Sequence, residues 1–480
     1  MTDLRSLAYV AAFSLFILGL SAMTGPRTAV RGNRLAAAGM GIAIAATFLR
    51  PAVHDIAIIA GAVLVGTIIS VPVARRVKMT QMPQLVALFN GVGGGAVALV
   101  AWVEFRTTGG FATSTHTLAA FSLFAAVIGS VSFWGSMVAF GKLQTLISGN
   151  AITMGPLQRP VTLVLAVAAA ACAVALATST QGELVFASLL LSSAALGLLL
   201  VLPIGGADMP VVISLLNACT GLSAAATGLA LDNTALIVSG MIVGASGTFL
   251  TRQMAAAMNR TVLSIIAGDF GTGGATSETG AVDDRGAVRS TSAADVAIQL
   301  AYARQVVIVP GYGLAVSQAQ HAVRDMSRLL EAAGITVKFA IHPVAGRMPG
   351  HMNVLLAEAD VPYDQLVDMD VINPEFARTD VALVIGANDV VNPDARTNRA
   401  SPLFGMPILD VDAARSIVIL KRSMRPGYAG VENALFWNPH ASLLFGDAKA
   451  SIAAISEALK PLLPSSPAAS STPPATTIGA

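Results

Sequence analysis

The chain contains 480 residues, of which 54% are hydrophobic and 12% are charged, and its mean hydropathy is +0.70. A soluble protein would carry about 25% charged residues, so this composition favours a membrane protein. The formal net charge is only +2 and the sequence has no basic run, which gives no support to nucleic-acid binding. Cys172 and Cys219 both lie in apolar segments and predict neither a disulfide framework nor a metal site.

Nine apolar segments in the first half approach or exceed the length of about 20 residues that a helix needs to cross a bilayer. The first lacks the basic start of a signal peptide and further apolar segments follow it, so we interpret it as a transmembrane helix. The second is short and rich in Gly and Ala, which leaves a count of eight open. The segments lie near residues 6–23, 35–50, 55–75, 83–103, 117–140, 160–178, 184–203, 209–230 and 234–256.

Basic residues are concentrated in alternate loops between these segments. Arg75, Arg76 and Lys78 follow the third segment, and the loops after the first, fifth and ninth also carry Arg or Lys. The intervening loops carry fewer basic residues, with none at 179–183 or 231–233. By the positive-inside rule, this pattern predicts an outside N-terminus and a cytoplasmic C-terminal half.

Four polar residues fall within or at the start of apolar segments, where polar side chains are costly and often functional. Asn90 and Asn217 lie near the middle of the fourth and eighth segments, and Ser136 lies in the fifth. Each asparagine either bonds a neighbouring helix or lines a hydrated path for an ion or a proton. Asp208 opens the eighth segment, where the helix dipole favours a carboxylate, so a cap or anchor competes with a functional role.

A change of composition after the ninth segment divides the chain into four parts. Residues 263–300 are rich in Gly, Ser, Thr and Asp and have little apolar periodicity, which is typical of a linker. Residues 464–480 form a low-complexity tail that is expected to be disordered. The sequence therefore predicts a membrane domain over 1–262 and a soluble domain over 301–463.

Apolar runs alternate with helical patterns in the predicted soluble domain, an order that indicates a doubly wound parallel sheet of the α/β class. Strands are predicted at 305–309, 335–342, 380–389, 406–411 and 416–423, and helices at 315–333, 352–359 and 447–460. The expected fold is thus a polytopic α-helical membrane domain of about nine transmembrane helices followed by a cytoplasmic Rossmann-like domain.

A glycine turn follows the first predicted strand, in the stretch "VPGYGLAV" at 309–316. Gly311 permits a tight turn, and Gly313 allows the backbone to approach a pyrophosphate at a helix N-terminus. A dinucleotide turn usually has a small residue where Val316 stands, which weakens the match. The stretch is either a nucleotide-binding turn or an ordinary strand–helix connection.

Residues after the later strands indicate which nucleotide the turn would hold. A site for NAD usually has an acidic residue at the end of the second strand, but here that strand is followed by His342 and Arg347. Lys421, Arg422 and Ser423 end a later strand and have the chemistry to clamp a ribose 2′-phosphate. A solvated strand end is the alternative interpretation. Together these features favour NADP(H).

Two further loops, 386–395 and 425–436, follow predicted strands and contain Gly, Asn and Pro. Residues of these types give loops defined shapes, and ligands bind at the carboxyl ends of strands in a doubly wound sheet. Tyr428, in the second loop, is therefore a candidate lid residue.

A series of motifs runs through the chain in a specific order: "MPQLVALFNGVGG", "SMVAFGKL", "GGADMPVVISLLN", "AMNRT", "VPGYGLAV", "AGRMPGHMNVLLAEA", "VIGANDVVNP", "KRSMRPGYAGVENALF" and "LFGDAKAS". In this order the motifs resemble the β subunit of the proton-translocating NAD(P) transhydrogenase. The resemblance covers nearly the whole chain, and few other proteins place such a dinucleotide domain behind about nine spans.

The resemblance implies an enzyme that transfers hydride from NADH to NADP⁺ and couples this transfer to inward proton movement across a bacterial inner membrane. NADP(H) would bind to the soluble domain of this chain, reversed relative to the usual dinucleotide orientation. NAD(H) would bind to a separate α polypeptide with further membrane helices, and two α–β units would form a dimer. No nucleophile or metal is expected, because the two nicotinamides need only be held close together with water excluded.

The resemblance also implies roles for individual residues. Lys421, Arg422 and Ser423 match the family's 2′-phosphate clamp. The loop of Tyr428 matches its lid, and Asp389 matches an acidic residue near the nicotinamide that links protonation to nucleotide occlusion. The implied cofactor-binding residues are Gly311, Tyr312, Gly313, Ala315, Val316, Arg347, Pro349, Gly350, Gly386, Ala387, Asn388, Asp389, Lys421, Arg422, Ser423, Gly427, Tyr428 and Ala429. The positions that match the family's proton path or its coupling are Ser136, Asp208, Asn217 and Gly247.

Asn90 stands where many relatives have histidine, and asparagine cannot titrate. Family members with asparagine here can carry a histidine on a membrane helix of the α side, so the resemblance does not require this chain to hold the titrating group. Two other interpretations stay open. One is an ion transporter or channel with an NADP(H)-sensing cytoplasmic domain, and the other is a membrane scaffold whose soluble domain no longer binds a nucleotide.

Overall fold

The computed structural model divides the chain into two compact units, Met1–Gly274 and Ala275–Ala480. The residues that the structure describes are 2–23, 28–48, 55–78, 81–111, 114–148, 151–178, 182–205, 208–259, 261–266, 288–347, 350–401, 403–427 and 429–463.

The described part of the first unit contains nine helices of 19 to 28 residues and a short tenth helix. Eight of the nine, all except α2, are long and apolar enough to cross a membrane. The sequence left eight or nine membrane-spanning helices open, because the second apolar segment is short, and the structure agrees with eight. The helices are α1 (Thr2–Ala22), α2 (Ala29–Phe48), α3 (Ile56–Arg76), α4 (Met82–Thr107), α5 (His116–Leu143), α6 (Gln158–Thr178), α7 (Glu183–Val201), α8 (Met209–Ala230), α9 (Thr234–Ala257) and α10 (Val262–Ile266).

Several of these helices begin at residues that favour helix starts. Proline lies in the first turn of α4 and α8, at Pro83 and Pro210, where its missing N–H costs nothing. The side chain of Asn233 accepts hydrogen bonds from the backbone N–H groups of Ala235 and Leu236 and so caps α9. Local sequence therefore defines where these helices start.

Small residues determine how closely the helices of the first unit approach one another. A Cβ atom added to Gly221 of α8 would lie 2.5 Å from the backbone N of Gly244 in α9. Between α4 and α5, a Cβ on Gly129 would lie 2.7 Å from the carbonyl O of Gly94. Larger side chains at these positions would push the helices apart, so the glycine-rich segments pack as a tight bundle.

The second unit contains a six-stranded sheet in which every strand pair is parallel, with the order β3-β2-β1-β4-β5-β6. This is the order of a doubly wound dinucleotide-binding fold, and the chain direction across the sheet reverses between β1 and β4. The predicted fold class is therefore confirmed. The strands are β1 (Gln305–Pro310), β2 (Thr336–Ile341), β3 (Leu366–Asp368), β4 (Val381–Ile385), β5 (Ser416–Lys421) and β6 (Ala441–Phe445).

The sheet separates two hydrophobic layers. In β1, Val306 and Ile308 pack into one layer with α13 and α17, whereas Val307 and Val309 pack into the other. Because both faces are covered, β1 is a continuous apolar run and not an alternating one. The helices of this unit are α11 (Ala293–Ala301), α12 (Tyr312–Val316), α13 (Gln320–Ala332), α14 (His351–Glu358), α15 (Met369–Ile372), α16 (Asp394–Thr397) and α17 (Ala448–Leu459).

Residues 406–411 were predicted to form a strand, and this prediction is wrong. Ile408 and Leu409 are buried, but the segment joins no sheet. The carbonyl of Ile408 accepts a hydrogen bond from the side chain of Asn373, and the N–H of Leu409 donates to the carbonyl of Val390. Apolar composition indicates burial, whereas strand pairing depends on which backbone groups lie opposite.

Two other segments differ from the sequence prediction. The helix predicted over 315–333 is divided into α12 and α13 by residues 317–319, and Gln318 has a positive φ of 51°. The segment 288–300, assigned to the linker, contains most of α11, which starts at a capping box between Ser292 and Asp295 and packs into the core of the sheet domain. The short strands β3 and β6 were not predicted.

Candidate functional site

Three glycines bring two loops together where the strand order reverses. The N–H of Gly311 donates to the carbonyl of Ile385, and the N–H of Gly313 donates to that of Gly386. A Cβ on Gly311 would lie 2.3 Å from the Cα of Ala387, and Gly386 has a positive φ of 68°. The glycines therefore allow the turn after β1 to lie directly against the loop after β4, at the edge where such folds bind nucleotides.

The structure explains why valine is accepted at position 316. Ala315 is fully buried and supplies the small residue that packs α12 onto the sheet, whereas Val316 is 48% exposed at the end of this one-turn helix. Because the chain leaves the helix at Ser317, residue 316 does not meet the sheet. The small residue that the turn requires is therefore Ala315 and not residue 316.

Arg347 and Tyr312 lie together beside a buried histidine that the sequence analysis did not select. The Arg347 guanidinium lies 4.3 Å from the centre of the Tyr312 ring. The Nδ1 atom of His351 accepts a hydrogen bond from the N–H of Arg347, and burial and the Arg347 charge lower the pKa of His351 to about 4. His351 is therefore a neutral imidazole that shapes the loop after β2.

His342, the other basic candidate after β2, has both ring nitrogens hydrogen-bonded to main-chain groups. Its Nδ1 atom accepts a hydrogen bond from the N–H of Val344, so its Nε2–H donates to the carbonyl of Pro407 at 2.8 Å. Burial lowers the pKa of His342 to about 4, although the hydrogen bond to Pro407 acts in the opposite direction. This imidazole is uncharged at neutral pH, and its hydrogen bonds connect the loop after β2 with the segment that contains Pro407.

Lys421 ends β5 in a half-buried position. Its Nζ atom donates a 3.2 Å hydrogen bond to Oδ1 of Asn388 and lies 4.0 Å from the centre of the Phe436 ring. Burial lowers the pKa of Lys421 to about 8, while the nearby Asp389 charge raises it. The ammonium is held in one place at the carboxyl end of the sheet, and its charge changes in the physiological range.

Asp389 connects this region with the loop after β5. Its Oδ2 atom accepts a 3.0 Å hydrogen bond from the N–H of Ala429, and its Oδ1 atom accepts one from Nδ2 of Asn388. A Cβ on Gly427 would lie 2.3 Å from Oδ1 of Asp389, so a larger residue here would displace the Asp389 side chain. Asn388, Asp389, Lys421, Gly427 and Ala429 are thus brought together.

Arg422 and Ser423 follow β5 and are exposed. The Arg422 guanidinium donates a 2.8 Å hydrogen bond to Oδ2 of Asp447, the residue that caps α17 through its other oxygen. Both side chains of this pair are largely exposed, so the ion pair adds little to stability. The guanidinium keeps further donors available for a phosphate.

Gly350 precedes α14 with a positive φ of 67° and lies with Arg347 in the loop after β2. Pro349 and Tyr428, two predicted cofactor contacts, lie outside the described residues. The remaining predicted residues lie in the turn after β1 and in the loops after β2, β4 and β5. Four separate parts of the sequence therefore meet along the carboxyl edge of one sheet.

Asn90 lies in a buried polar group inside the helical unit. Its Nδ2 atom donates a 2.9 Å hydrogen bond to Oγ of Ser136, so α4 and α5 are joined by side chains. The group continues through Ser132, whose hydroxyl donates to the carbonyl of Leu216 and also bonds the hydroxyl of Thr220 in α8. Ser132 and Thr220 were missed because single hydroxyl residues in an apolar helix carry no distinct sequence signal.

The other three predicted membrane residues lie on α8 and α9. Asp208 is fully buried at the start of α8, where its side chain makes no capping hydrogen bond. Gly247 of α9 packs against Ala218, and its carbonyl accepts a hydrogen bond from the hydroxyl of Ser214. Asn217 is half-buried on α8, one residue from that contact. Gly247 and Asn217 therefore belong to the same helix crossing.

Lys142 is a further buried polar residue that the sequence analysis treated only as a loop charge. Its ammonium, near the end of α5, donates hydrogen bonds to the carbonyls of Leu202 and Ile204. These carbonyls follow α7 and precede α8. Lys142 therefore links α5 by hydrogen bonds to the segment between α7 and α8, which precedes Asp208.

Comparison with known proteins gives similarity over almost the full length. The family model described as NAD(P) transhydrogenase beta subunit matches residues 5–458. A curated relative from Rhodospirillum rubrum named NAD(P) transhydrogenase subunit beta is 48% identical over 454 residues, which cover 93% of this chain and 97% of the relative. The protein of that name from a specified strain of the species gives the same values. The similarity spans both units.

Proposed function

Because the chain belongs to the NAD(P) transhydrogenase beta subunit family, we propose that it binds NADP(H) along the carboxyl edge of its sheet. The observation that carries this proposal is the position of Lys421, half-buried at the end of β5 beside Asn388 and Asp389. A lysine ammonium held at the carboxyl edge of a doubly wound sheet is placed to meet a phosphorylated nucleotide.

The selection of NADP(H) over NAD(H) rests on charge at the strand ends. The segment after β2 provides Arg347 and the neutral His342 instead of an acidic residue that would bond an unmodified ribose. Lys421, Arg422 and Ser423 form the proposed 2′-phosphate clamp. The glycine turn contacts the cofactor without selecting its ribose, and Tyr428 and Pro349 complete the site.

The proposed reaction is direct hydride transfer from NADH to NADP⁺, with NADH held by an α subunit. The nicotinamides supply the redox chemistry, so the residues of this chain bind, orient and keep water from the cofactor. Asp389 lies beside Gly427 and Ala429 and is the candidate that links protonation to closure of the proposed lid. Two α–β units form the proposed dimer.

Proton movement is proposed to use the buried polar residues of the helical domain, at Asn90, Ser136, Asp208, Asn217 and Gly247. Asn90 hydrogen-bonds but cannot titrate, so we assign the titrating group to a membrane helix of the α subunit. Coupling is then conformational, since proton occupancy changes which nucleotide-bound state is favoured. A membrane potential of about 100 mV provides about 2.3 kcal/mol for each charge moved inward.

We place the chain in a bacterial inner membrane with its N-terminus outside and its sheet domain in the cytoplasm. The domain limits carried into this proposal are 1–262 for the proton-translocating domain and 301–463 for the NADP(H)-binding domain. Residues 288–300 join the second domain, because α11 packs into its core.

The nucleotide assignment is tested by replacing Lys421 and Arg422 with alanine, singly and together. Each variant should bind NADPH about 10- to 100-fold more weakly, because a charge-assisted contact contributes roughly 1.5–3 kcal/mol. Binding of NADH, which has no 2′-phosphate, should change little. Dissociation constants of the purified full chain in detergent give both values.

Lys460→Ala is the matched control, since Lys460 is an exposed lysine that pairs with Glu457 on α17. This variant should bind both nucleotides as the natural chain does. An equal loss of NADPH and NADH binding in the Lys421 and Arg422 variants would contradict the proposed clamp.

A further inference from the structure

The carboxamide of Asn388 lies between two charged side chains at the proposed nucleotide site. Its Oδ1 atom accepts a 3.2 Å hydrogen bond from Nζ of Lys421, and its Nδ2 atom donates a 3.0 Å hydrogen bond to Oδ1 of Asp389. Its backbone carbonyl accepts a hydrogen bond from Nδ2 of the buried Asn433. Asn388 is therefore fixed through both its backbone and its side chain.

The two charged neighbours permit only one orientation of this amide. The lysine ammonium has donors only, and an ionised carboxylate has acceptors only. The amide oxygen must then face Lys421, and the amide nitrogen must face Asp389. Reversing the amide would place its N–H groups against the ammonium and its oxygen against the carboxylate, so both hydrogen bonds would be lost together.

The other contacts of Lys421 and Asp389 extend this connection. The Lys421 ammonium lies 4.0 Å from the centre of the Phe436 ring, which is buried in the domain core. The second oxygen of Asp389 accepts the N–H of Ala429, in the loop that follows β5. A shift of the Asp389 carboxylate would therefore move the Asn388 amide and, through it, change the position of the Lys421 ammonium.

We propose that Asn388 is a positioning residue that couples the Asp389 carboxylate to the Lys421 ammonium and so makes recognition of the 2′-phosphate depend on Asp389. This inference rests on the proposed function and adds to it the route by which one site residue acts on another. An ionised Asp389 holds the amide with its oxygen towards Lys421. A neutral group in place of that carboxylate loosens the amide and releases the ammonium.

The test is a double-mutant cycle on the purified full chain in detergent. Dissociation constants for NADPH and NADH are measured for Asp389→Asn, Asn388→Ala and the double variant. The dissociation constant for NADH divided by that for NADPH reports discrimination in favour of the 2′-phosphate. Each single variant should lower this ratio about three- to tenfold, the range expected for coupled neighbours. The double variant should lie close to Asn388→Ala, because the hydrogen-bonded route from Asp389 to Lys421 is lost and only the direct attraction between the two charges remains.

Two further variants separate positioning from a general structural role. In a Lys421→Ala background, neither Asp389→Asn nor Asn388→Ala should change the ratio, since the group they position is absent. Asn398→Ala removes an exposed loop amide whose oxygen accepts a hydrogen bond from the N–H of Ala400 in the same turn, and it should leave the ratio unchanged. If Asn388→Ala fails to fold by circular dichroism, Asn388→Ser takes its place in the cycle.

The inference would be overturned if Asp389→Asn and Asn388→Ala affected nucleotide discrimination independently of each other. If the losses from Asp389→Asn and Asn388→Ala multiply in the double variant, the two residues act separately and Asn388 is no link between them. A natural chain that binds NADPH and NADH equally well would instead contradict the proposed function itself. Preference for NADPH with multiplying losses would leave the proposed function intact and remove only the role of Asn388.

Discussion

The two units bury polar side chains in different ways. In the helical unit, buried polar side chains join separate segments by donating to main-chain carbonyls, as Ser132 does to Leu216 and Lys142 does to Ile204. In the sheet unit, Asn388, Asp389 and Lys421 bond one another in loops at one edge of the sheet. A membrane bundle must satisfy its polar groups internally, whereas the strand ends of a doubly wound sheet can direct theirs to a ligand.

Glycine illustrates the same difference. In the helical unit glycines bring two helix backbones together along a continuous crossing, as at Gly221 and Gly244. In the sheet unit Gly311, Gly313 and Gly386 bring two loops into contact at a single point. The first arrangement distributes the cost of a substitution over a long interface, while the second concentrates it at the proposed site.

The largest expected effect of a single substitution comes from Gly386→Ala. The added Cβ would lie 2.4 Å from the Cα of Gly313, and a positive φ of 68° is unfavourable for alanine. Strain and overpacking together should destabilise the sheet domain by about 4 kcal/mol and abolish NADPH binding. Denaturant unfolding can be followed by the fluorescence of Trp437, the one tryptophan in the sequence of this unit.

Gly334→Ala provides the comparison, because Gly334 also has a positive φ but no atom lies within 4 Å of its added Cβ. It should cost only about 1 kcal/mol from backbone strain and leave nucleotide binding intact. Equal effects of the two substitutions would show that loop contact at Gly386 is unimportant.

The next effect concerns pH and is confined to the sheet domain. His342 and His351 have folded pKa values of about 4, whereas an unfolded histidine takes up a proton near its ordinary value of about 6.5. The unfolded chain therefore binds more protons between these values, and stability falls as the pH drops from about 6.5 to about 4. The loss should reach roughly 3 kcal/mol for each histidine.

Unfolding free energies measured at several pH values check this expectation. His342→Gln should reduce the pH dependence by about half, while replacement of the exposed His440 by Gln should leave it unchanged. Stability of the sheet domain that stays constant from pH 6.5 to pH 4 would contradict the assignment of two neutral, buried histidines.

Apart from the control substitutions, the smallest expected effect is in the helical unit, from Gly240→Ala. The added Cβ would lie 2.4 Å from the backbone N of Ala225 on the neighbouring helix. Because α8 and α9 can shift slightly along their whole crossing, the cost should be only about 2 kcal/mol. Gly66→Ala, on α3 with no atom within 4 Å, should not lower stability in a mixed-detergent titration, because alanine favours the helix more than glycine does. A loss of stability at Gly66 as large as that at Gly240 would reject the packing explanation.

Much of the fold could be predicted from the sequence because its signals are local. Apolar length defined the membrane helices, and the alternation of strands with helices defined the sheet. The segment 406–411 was predicted wrongly, since burial and strand pairing give the same apolar pattern. Helix α11 was missed because its nine residues follow a polar, glycine-rich stretch and carry only a short apolar face.

The candidate site could be predicted in part for the same reason. Residues at strand ends, such as Lys421 and Asp389, are found by position along the chain. The buried His351, the hydroxyls of Ser132 and Thr220 and the amide orientation of Asn388 depend on contacts between distant segments, which a single sequence does not reveal. At Val316 the structure removes a difficulty that the sequence raised. A valine is acceptable where a small residue was expected, because α12 is a single turn that ends at this residue.

The most direct test of the central claim uses the chain reconstituted in liposomes together with its α subunit. Reduction of an NAD analogue by NADPH is started, and proton movement is followed with a pH-sensitive dye. The account predicts that hydride transfer and proton movement across the membrane occur together, and that a proton ionophore removes the pH gradient while hydride transfer continues. Hydride transfer at a full rate with no proton movement in sealed vesicles would contradict it.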